Sequence, residues 1–312
     1  MLAAIALSLA QLAQAGVPQH DPEIEALLRR RDELRRAEAE QKAQRPWIEQ
    51  VPAEGQDGND QQSLAAVVPP AIAARLATCL ERANANPADG IKEAEAWAQT
   101  DGGAYAAQCR GYALGQDGRW SEAAKAFEEG AAFRDLDAVT QARLWSQAGN
   151  AALIAGEPAR ALRALDAALS RPLPRTLATG EIHLDRARAR VATDDLKGAR
   201  ADLDQAVVLA AADPLAWLLS ATLARRMDDL PLARLHIEQA ATRARNDAAV
   251  ALEQGVILAL SGNDAGARAA FSRAQELATR DSDIARQATD YLAQLDGEAP
   301  PADRSVVTEP GR

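Results

Sequence analysis

The chain has 312 residues, a formal net charge of -10 and a pI near 5.0. That acidic balance argues against a nucleic-acid binder, which would carry a basic stripe, and against a general attraction to acidic membrane surfaces. Hydrophobic residues reach 47%, enough for a core, while aromatics are only 4%; the abundance of Ala, the best helix former, points to helices that approach closely.

The chain opens on Leu2 to Ala13, apolar apart from Ser8 and Gln11, followed by the small-x-small pattern Ala13-Gln14-Ala15. Residues 1–15 read as an export signal, which would place the mature chain in the periplasm. An ordinary N-terminal helix is the alternative, because no Lys or Arg precedes the apolar run. No later stretch has the about eighteen consecutive apolar residues a membrane span needs, so the protein is not expected to span a membrane.

Residues 16–45 contain a charged helix. Asp21-Pro22 offers a cap and a first-turn proline, and Glu25 and Arg29 are spaced for an ion pair. Ile24, Leu27, Leu28, Arg31 and Leu34 approach a heptad stripe too short to establish a coiled coil. The segment is either a solvated helix or a short oligomerisation helix. Residues 46–66, with Pro52, Gly55 and Gly58, read as a linker containing one loose aromatic, Trp47.

A helical body follows at 67–296, with helices predicted at 68–84, 88–99, 104–116, 120–132, 138–155, 158–169, 176–193, 196–210, 214–227, 230–243, 248–260, 264–278 and 282–295. Breaks such as Asn86-Pro87, Asp117-Gly118, Asp213-Pro214 and Gly262-Asn263-Asp264 supply capping and turn residues between them. The tail at 297–312 holds Pro300, Pro301 and Pro310 and is expected to be disordered.

The body repeats. Ala199, Ala233 and Ala267 are each 34 residues apart, and each is followed at four positions by a large apolar residue and at seven by a small one. The register extends backward. The Ala series is Ala123, Ala161, Ala199, Ala233 and Ala267. The large series is Phe127, Leu165, Leu203, Ile237 and Phe271, and the closing small series is Gly130, Ala168, Ala206, Ala240 and Ala274. Before each lie a small first-helix residue (Gly111, Gly149, Ala187, Ala221, Gly255) and a turn residue (Gly118, Gly156, Asp194, Asp228, Gly262). The two earlier spacings, Ala123 to Ala161 and Ala161 to Ala199, are 38, which allows a longer helix or loop.

This pattern resembles the tetratricopeptide repeat, a helix-turn-helix unit of about 34 residues. The resemblance covers about residues 70–300 and implies an all-α, right-handed superhelical solenoid of antiparallel helix pairs. Small residues would let the paired backbones approach, and the large residue would fill the space between units. The first-helix Trp position of the family is kept at Trp145 and Trp217 but is Ala107, His183 and Ala251 elsewhere. The family's Leu position becomes Arg110, Ala148, Arg186, Ser220 and Gln254, which implies looser packing there or arginines that snorkel at an edge.

The resemblance also implies where a partner would sit, because first helices line the concave face of such proteins. The inward positions are Tyr105, Gln108 and Tyr112; Arg143, Ser146 and Asn150; Glu181, Leu184 and Arg188; Leu215, Leu218, Thr222, Arg225 and Arg226; and Leu252, Val256 and Leu260. Tyr105, Gln108, Tyr112, Arg143, Asn150, Arg188, Arg225 and Arg226 are the candidate peptide-binding groove. Four arginines in an acidic chain suit a carboxylate or an acidic peptide. The alternative is that they pair with Asp228 and Asp229 or simply solvate the surface, and that the two tyrosines belong to the core.

The three His residues, His20, His183 and His236, form no ligand spacing, and neither a phosphate loop nor a GxSxG motif is present. Asp194-Asp195 and Asp228-Asp229 fall at repeat turns. The reading is a non-enzyme with no metal and no cofactor, binding a protein or peptide as an adaptor of the cell envelope. Self-assembly through the charged helix is the alternative. Cys79 and Cys109 lie in the first and third helices, which neighbour each other in stacked pairs, at a separation of 30 residues. They would form a disulfide in an oxidising compartment or stay as two small buried hydrophobes.

Overall fold

A computed structural model describes residues 68–297, apart from residue 174. The signal, the charged helix, the linker with Trp47 and the tail beyond residue 297 lie outside the described residues. Within them there are thirteen helices and no strand: α1 (Pro70–Ala85), α2 (Pro87–Ala98), α3 (Gly103–Gln116), α4 (Trp120–Ala131), α5 (Ala138–Ile154), α6 (Pro158–Leu169), α7 (Leu177–Ala192), α8 (Leu196–Leu209), α9 (Pro214–Arg226), α10 (Leu230–Arg243), α11 (Ala248–Leu260), α12 (Asp264–Leu277) and α13 (Asp283–Leu295). Each helix lies within two residues, at either end, of the span its capping and turn residues predict. The chain divides into two units, here residues 68–216 and 217–297.

The helix pairs are cut by one recurring device. The turn residues Gly118, Gly156, Asp194, Asp228 and Gly262 all adopt left-handed backbone, with φ of 77°, 75°, 63°, 60° and 76°. Such a residue ends a helix because it turns the chain away while satisfying the last carbonyls. In the last three turns the next residue caps the second helix. Asp195 Oδ1 accepts from Gly198 N at 2.9 Å, Asp229 Oδ1 from Leu232 N at 3.1 Å, and Asn263 Oδ1 from Gly266 N at 3.0 Å. The Asp194-Asp195 and Asp228-Asp229 pairs are thus turn and cap: the first residue supplies the left-handed backbone and the carboxylate of the second caps the next helix.

In residues 68–216 each helix packs on the next, from α1 through α8. The Ala series opens the second helices at full burial: Ala123, Ala161 and Ala199 are all 0% exposed. The large residue sits elsewhere than between units. A methyl added to Gly111 would meet the Phe127 ring at 2.7 Å, and one added to Gly149 would meet Leu165 at 2.5 Å. Phe127 and Leu165 therefore press onto the small residue of their own pair's first helix, and only a residue without a Cβ leaves room. The same relationship joins Gly255 to Phe271 in residues 217–297, where α11, α12 and α13 pack in sequence and Tyr291 of α13 stacks on Phe271 at 5.0 Å.

The four extra residues of the two longer repeats go partly into helix and partly into loop. The first helices α5 and α7 have 17 and 16 residues, against 13 in α9 and α11. The connections into them run over 132–137 and 170–176, against 210–213 and 244–247. Asp137 starts α5 by accepting from Val139 N and Thr140 N at 3.0 and 2.9 Å.

At the other end of this unit Cys79 of α1 and Cys109 of α3 are joined as a disulfide, with Cα atoms 6.2 Å apart and both residues 0% exposed. Ala94, Leu76 and Leu80 surround the bond.

Candidate binding face on the first helices

The first helices are tied to one another by polar side chains. In residues 68–216 the Tyr112 hydroxyl of α3 donates to Asn84 Oδ1 of α1 at 2.6 Å. Gln108 Nε2 of α3 donates to Gln147 Oε1 of α5 at 3.3 Å, and Asn150 Nδ2 of α5 donates to Asp185 Oδ2 of α7 at 3.2 Å. In residues 217–297 Arg225 of α9 grips Glu253 of α11 with two bonds, Nε to Oε1 at 2.7 Å and Nη2 to Oε2 at 3.2 Å. One polar bridge thus links each of these neighbouring first helices. Backbone partners are not needed for this, since every helix satisfies its own; the bridges fix the helices sideways.

The predicted groove residues separate into three groups. Gln108 is buried, and Leu184, Leu215, Leu218 and Leu252 belong to the core rather than to a surface. Tyr105, Tyr112, Ser146, Asn150, Glu181, Thr222, Val256 and Leu260 are half-buried on their first helices. Arg143 and Arg226 are exposed. The four arginines do not make one free basic lining. Arg188 Nη1 donates to Asp185 Oδ1 at 2.9 Å, so Asp185 is shared by Arg188 and Asn150. Arg225 reaches across to Glu253, whereas Asp228 is in the turn and Asp229 caps α10. Neither aspartate is its partner.

Gln108 carries one unspent group. Its Nε2 is bonded to Gln147, but its buried Oε1 meets no donor among the described residues, and the same holds for the buried Trp145 Nε1. A buried acceptor and a buried donor without partners are costly.

The sequence reading missed Asn84, Gln147, Asp185 and Glu253. A signal for two of them existed: Gln147 and Asp185 are 38 residues apart, the same spacing as Ala161 and Ala199. The other two are 28 residues from their partners, a separation that no repeat register highlights.

A second polar cluster lies inside the helix pair α7–α8. Asp202 of α8, 2% exposed, accepts Arg186 Nε at 2.9 Å and Nη2 at 2.7 Å and bonds His183 Nδ1 at 2.8 Å, and it forms an ion pair with Arg190 Nη1 at 2.9 Å, whose own hydrogen bond goes to Gly198 O. Arg186 also reaches Asp166 of α6 at 2.9 Å. Burial by itself would raise the Asp202 carboxyl, but the hydrogen bonds from His183 and Arg186 and the charges of Arg186 and Arg190 outweigh it and hold it below the ordinary carboxylate range. Arg186 does not snorkel: it is the counter-charge of a buried carboxylate. The carboxylate is buried and held by three hydrogen bonds and an ion pair, so the cluster cross-links α7 and α8.

The comparisons agree on the architecture. No protein-family model matches the chain, and no curated protein matches it. Solved structures do. PilW, a type IV pilus biogenesis factor, is 15% identical with a TM-score of 0.58, over 70% of this chain and 97% of that one. The C-terminal part of a tetratricopeptide-repeat protein from Cytophaga hutchinsonii is 13% identical with a TM-score of 0.55, over 71% and 86%. The Cut9-Hcn1 structure gives 17% and 0.53, over 71% and 41%. The consecutive helix pairs, the five left-handed turns and these likenesses define the tetratricopeptide-repeat fold for this chain.

Proposed function

We propose that the chain is a non-catalytic scaffold that holds a protein or peptide segment on its first-helix face, and that it works in the cell envelope. The observation that carries this is the row of amide, phenol and carboxylate groups that the first helices present. Amide side chains that change partners at little cost suit an extended backbone, which presents donors and acceptors at regular intervals. Exposed Arg143 and Arg226 add points of attraction for carboxylates.

The envelope part of the reading draws support from the buried Cys79–Cys109 bond, a feature of oxidising compartments. It draws further support from the apolar run at Leu2 to Ala13. PilW, a pilus biogenesis factor of this fold, is a protein with the kind of assembly role proposed here.

Crosslinking in intact cells, with fractionation of the same sample, tests the proposal. Wild type should recover a stoichiometric protein from the envelope fraction. The Arg143→Glu, Arg226→Glu variant should lose it while its thermal melting stays unchanged. Undiminished recovery by that variant rejects the groove. Only self-crosslinks, lost when residues 16–62 are deleted, would instead identify a self-assembling structural protein.

A further inference from the structure

Insertions in a repeat array fall on one edge and are often put to use there. In residues 68–216 both insertions enlarge the connection leading into a first helix, at 132–137 and 170–176, and one side chain ties them together. Gln141, in the added turn of α5, donates from Nε2 to Phe133 O at 3.0 Å and accepts at Oε1 from Arg171 Nε at 3.0 Å. Arg171 also donates to Ala167 O, and its guanidinium lies 5.9 Å from the centre of the Trp145 ring. Leu136 and Leu173 turn inward onto the core.

The outward side of this edge is unlike the rest of the chain. Phe133 is 46% exposed and is the one exposed aromatic among the described residues. Beside it in sequence is exposed Arg134, and the second loop contributes exposed Pro172 and Arg175. Neither Arg134 nor Arg175 is drawn into an ion pair among the described residues. Of the two carboxylates in the first loop, Asp137 is occupied in capping α5, and Asp135 is exposed.

We propose that this edge is a second interaction surface, for an acidic protein segment that also carries apolar side chains. The chemistry of the edge selects that partner. Guanidinium groups match carboxylates in pairs of hydrogen bonds, and an exposed aromatic whose backbone is held by Gln141 offers an apolar anchor. A nucleic acid needs a row of phosphate contacts, which a few arginines on a chain of net charge -10 do not supply. The surface uses none of the groove residues proposed above, so the two readings stand or fall separately.

The test uses the full chain and a short fluorescein-labelled peptide of alternating Glu and Leu, read by fluorescence anisotropy. Wild type should bind it, more weakly as salt rises. Arg134→Glu with Arg175→Glu, and separately Phe133→Ala, should each weaken binding about tenfold or more, the loss of roughly one desolvated charge-assisted bond or anchor. All three positions are exposed, and unchanged circular dichroism and melting confirm the fold. An Arg234→Glu control, at an exposed arginine of α10 outside both proposed surfaces, should bind this peptide like wild type. Affinity indistinguishable between wild type and the Arg134→Glu, Arg175→Glu variant overturns the proposal. So does retention on phosphatidylglycerol vesicles without any binding of the peptide, which would make the edge a membrane contact.

Discussion

Arg186 holds Asp202 through two bonds at the same place in its repeat where the next repeat sets Ser220 against His236, 2.7 Å apart. The two arrangements are in register. His183, Arg186 and Asp202 are each 34 residues before Trp217, Ser220 and His236. In the later repeat the Trp217 ring meets the His236 ring edge-on at 5.2 Å, and Ser220 is fully buried. In these two repeats a first-helix position that holds Leu in the family is polar, each time facing a polar partner in the second helix. Neither site is loosely packed.

Loss of one partner in the charged version should be severe. Asp202→Ala leaves Arg186 and Arg190 facing a small void, and breaking a buried pair from one side costs about 3–5 kcal/mol. The double variant Arg186→Leu, Asp202→Ala should recover part of that loss, because Arg186 is no longer stranded and Arg190 keeps Asp195 as a second carboxylate at 3.6 Å. Denaturant midpoints of the two variants against wild type measure both effects; a double variant as unstable as the single would show that packing, not charge, sets the cost.

The same carboxylate predicts an acid dependence. The folded Asp202 carboxyl lies below its ordinary value, so the unfolded chain takes up its proton first as pH falls. Its contribution is complete above the unfolded value of about 3.9 and disappears as pH drops through the lower folded value. The stability gap between wild type and Asp202→Asn should therefore be constant above about pH 5 and shrink below about pH 4. A gap that widens on acidification would contradict the sign.

Gly255 should resist replacement despite lying within α11. Gly→Ala inside a helix ordinarily gains about 0.5–1 kcal/mol. Here the added methyl would run into Phe271, 1% exposed and stacked on Tyr291, and overpacking of this kind costs about 1–3 kcal/mol. Gly255→Ala is expected to be less stable than wild type by about 1 kcal/mol or more. Gly149→Ala, against Leu165, should behave the same way. A raised melting temperature in either variant would show that the large residue can shift aside.

Much of this was readable from the chain because close packing leaves spaced fingerprints. The Gly255–Phe271 and Gly111–Phe127 contacts follow from the same five-membered series that fixed the repeat, and the turn residues all proved left-handed. The binding face was less legible. Arg225 looks free beside Asp228 and Asp229, yet its partner is Glu253 on the next first helix, and Asp185 takes Arg188 and Asn150 together. Polar pairs on exposed or half-buried faces impose no periodic demand on composition, so only the folded arrangement reveals them. Asp202 was hidden for another reason: an Asp among alternating polar residues of α8 carries no mark of burial until His183, Arg186 and Arg190 are seen to converge on it.

The turns offer a stabilising prediction. Asp194 and Asp228 adopt φ of 63° and 60°, a conformation that costs an L-residue about 1 kcal/mol relative to Gly, with Asp among the more tolerant types. Asp194→Gly and Asp228→Gly should raise stability by a few tenths to about 1 kcal/mol, part of the gain being offset by the freer unfolded chain. Gly118→Ala, Gly156→Ala and Gly262→Ala should lose about 1 kcal/mol each, although no atom lies near an added methyl at Gly118 or Gly262. Thermal melts of the set would separate backbone strain from packing; a destabilised Asp194→Gly would mean that its carboxylate contributes more than its backbone costs.

The disulfide should act locally. Cys79–Cys109 closes a loop whose ends are 30 residues apart, which on the loop-entropy account is worth about 3–4 kcal/mol. The bond ties α1 to α3, and α2 lies between them in the chain with Trp97 buried beneath Arg75, whose guanidinium is 5.0 Å from the ring centre. The helices α4 to α7 have neighbours on both sides and do not depend on the bond for their packing. In the Cys79→Ala, Cys109→Ala variant, amide exchange should therefore accelerate across α1 and α2 and protease should cut near the α2–α3 junction at 99–102. Exchange in α5 to α8 should stay near wild type. Equal acceleration throughout residues 70–209 would show instead that the unit unfolds as one cooperative block, and no acceleration anywhere would show that the Trp97 core alone secures the first pair.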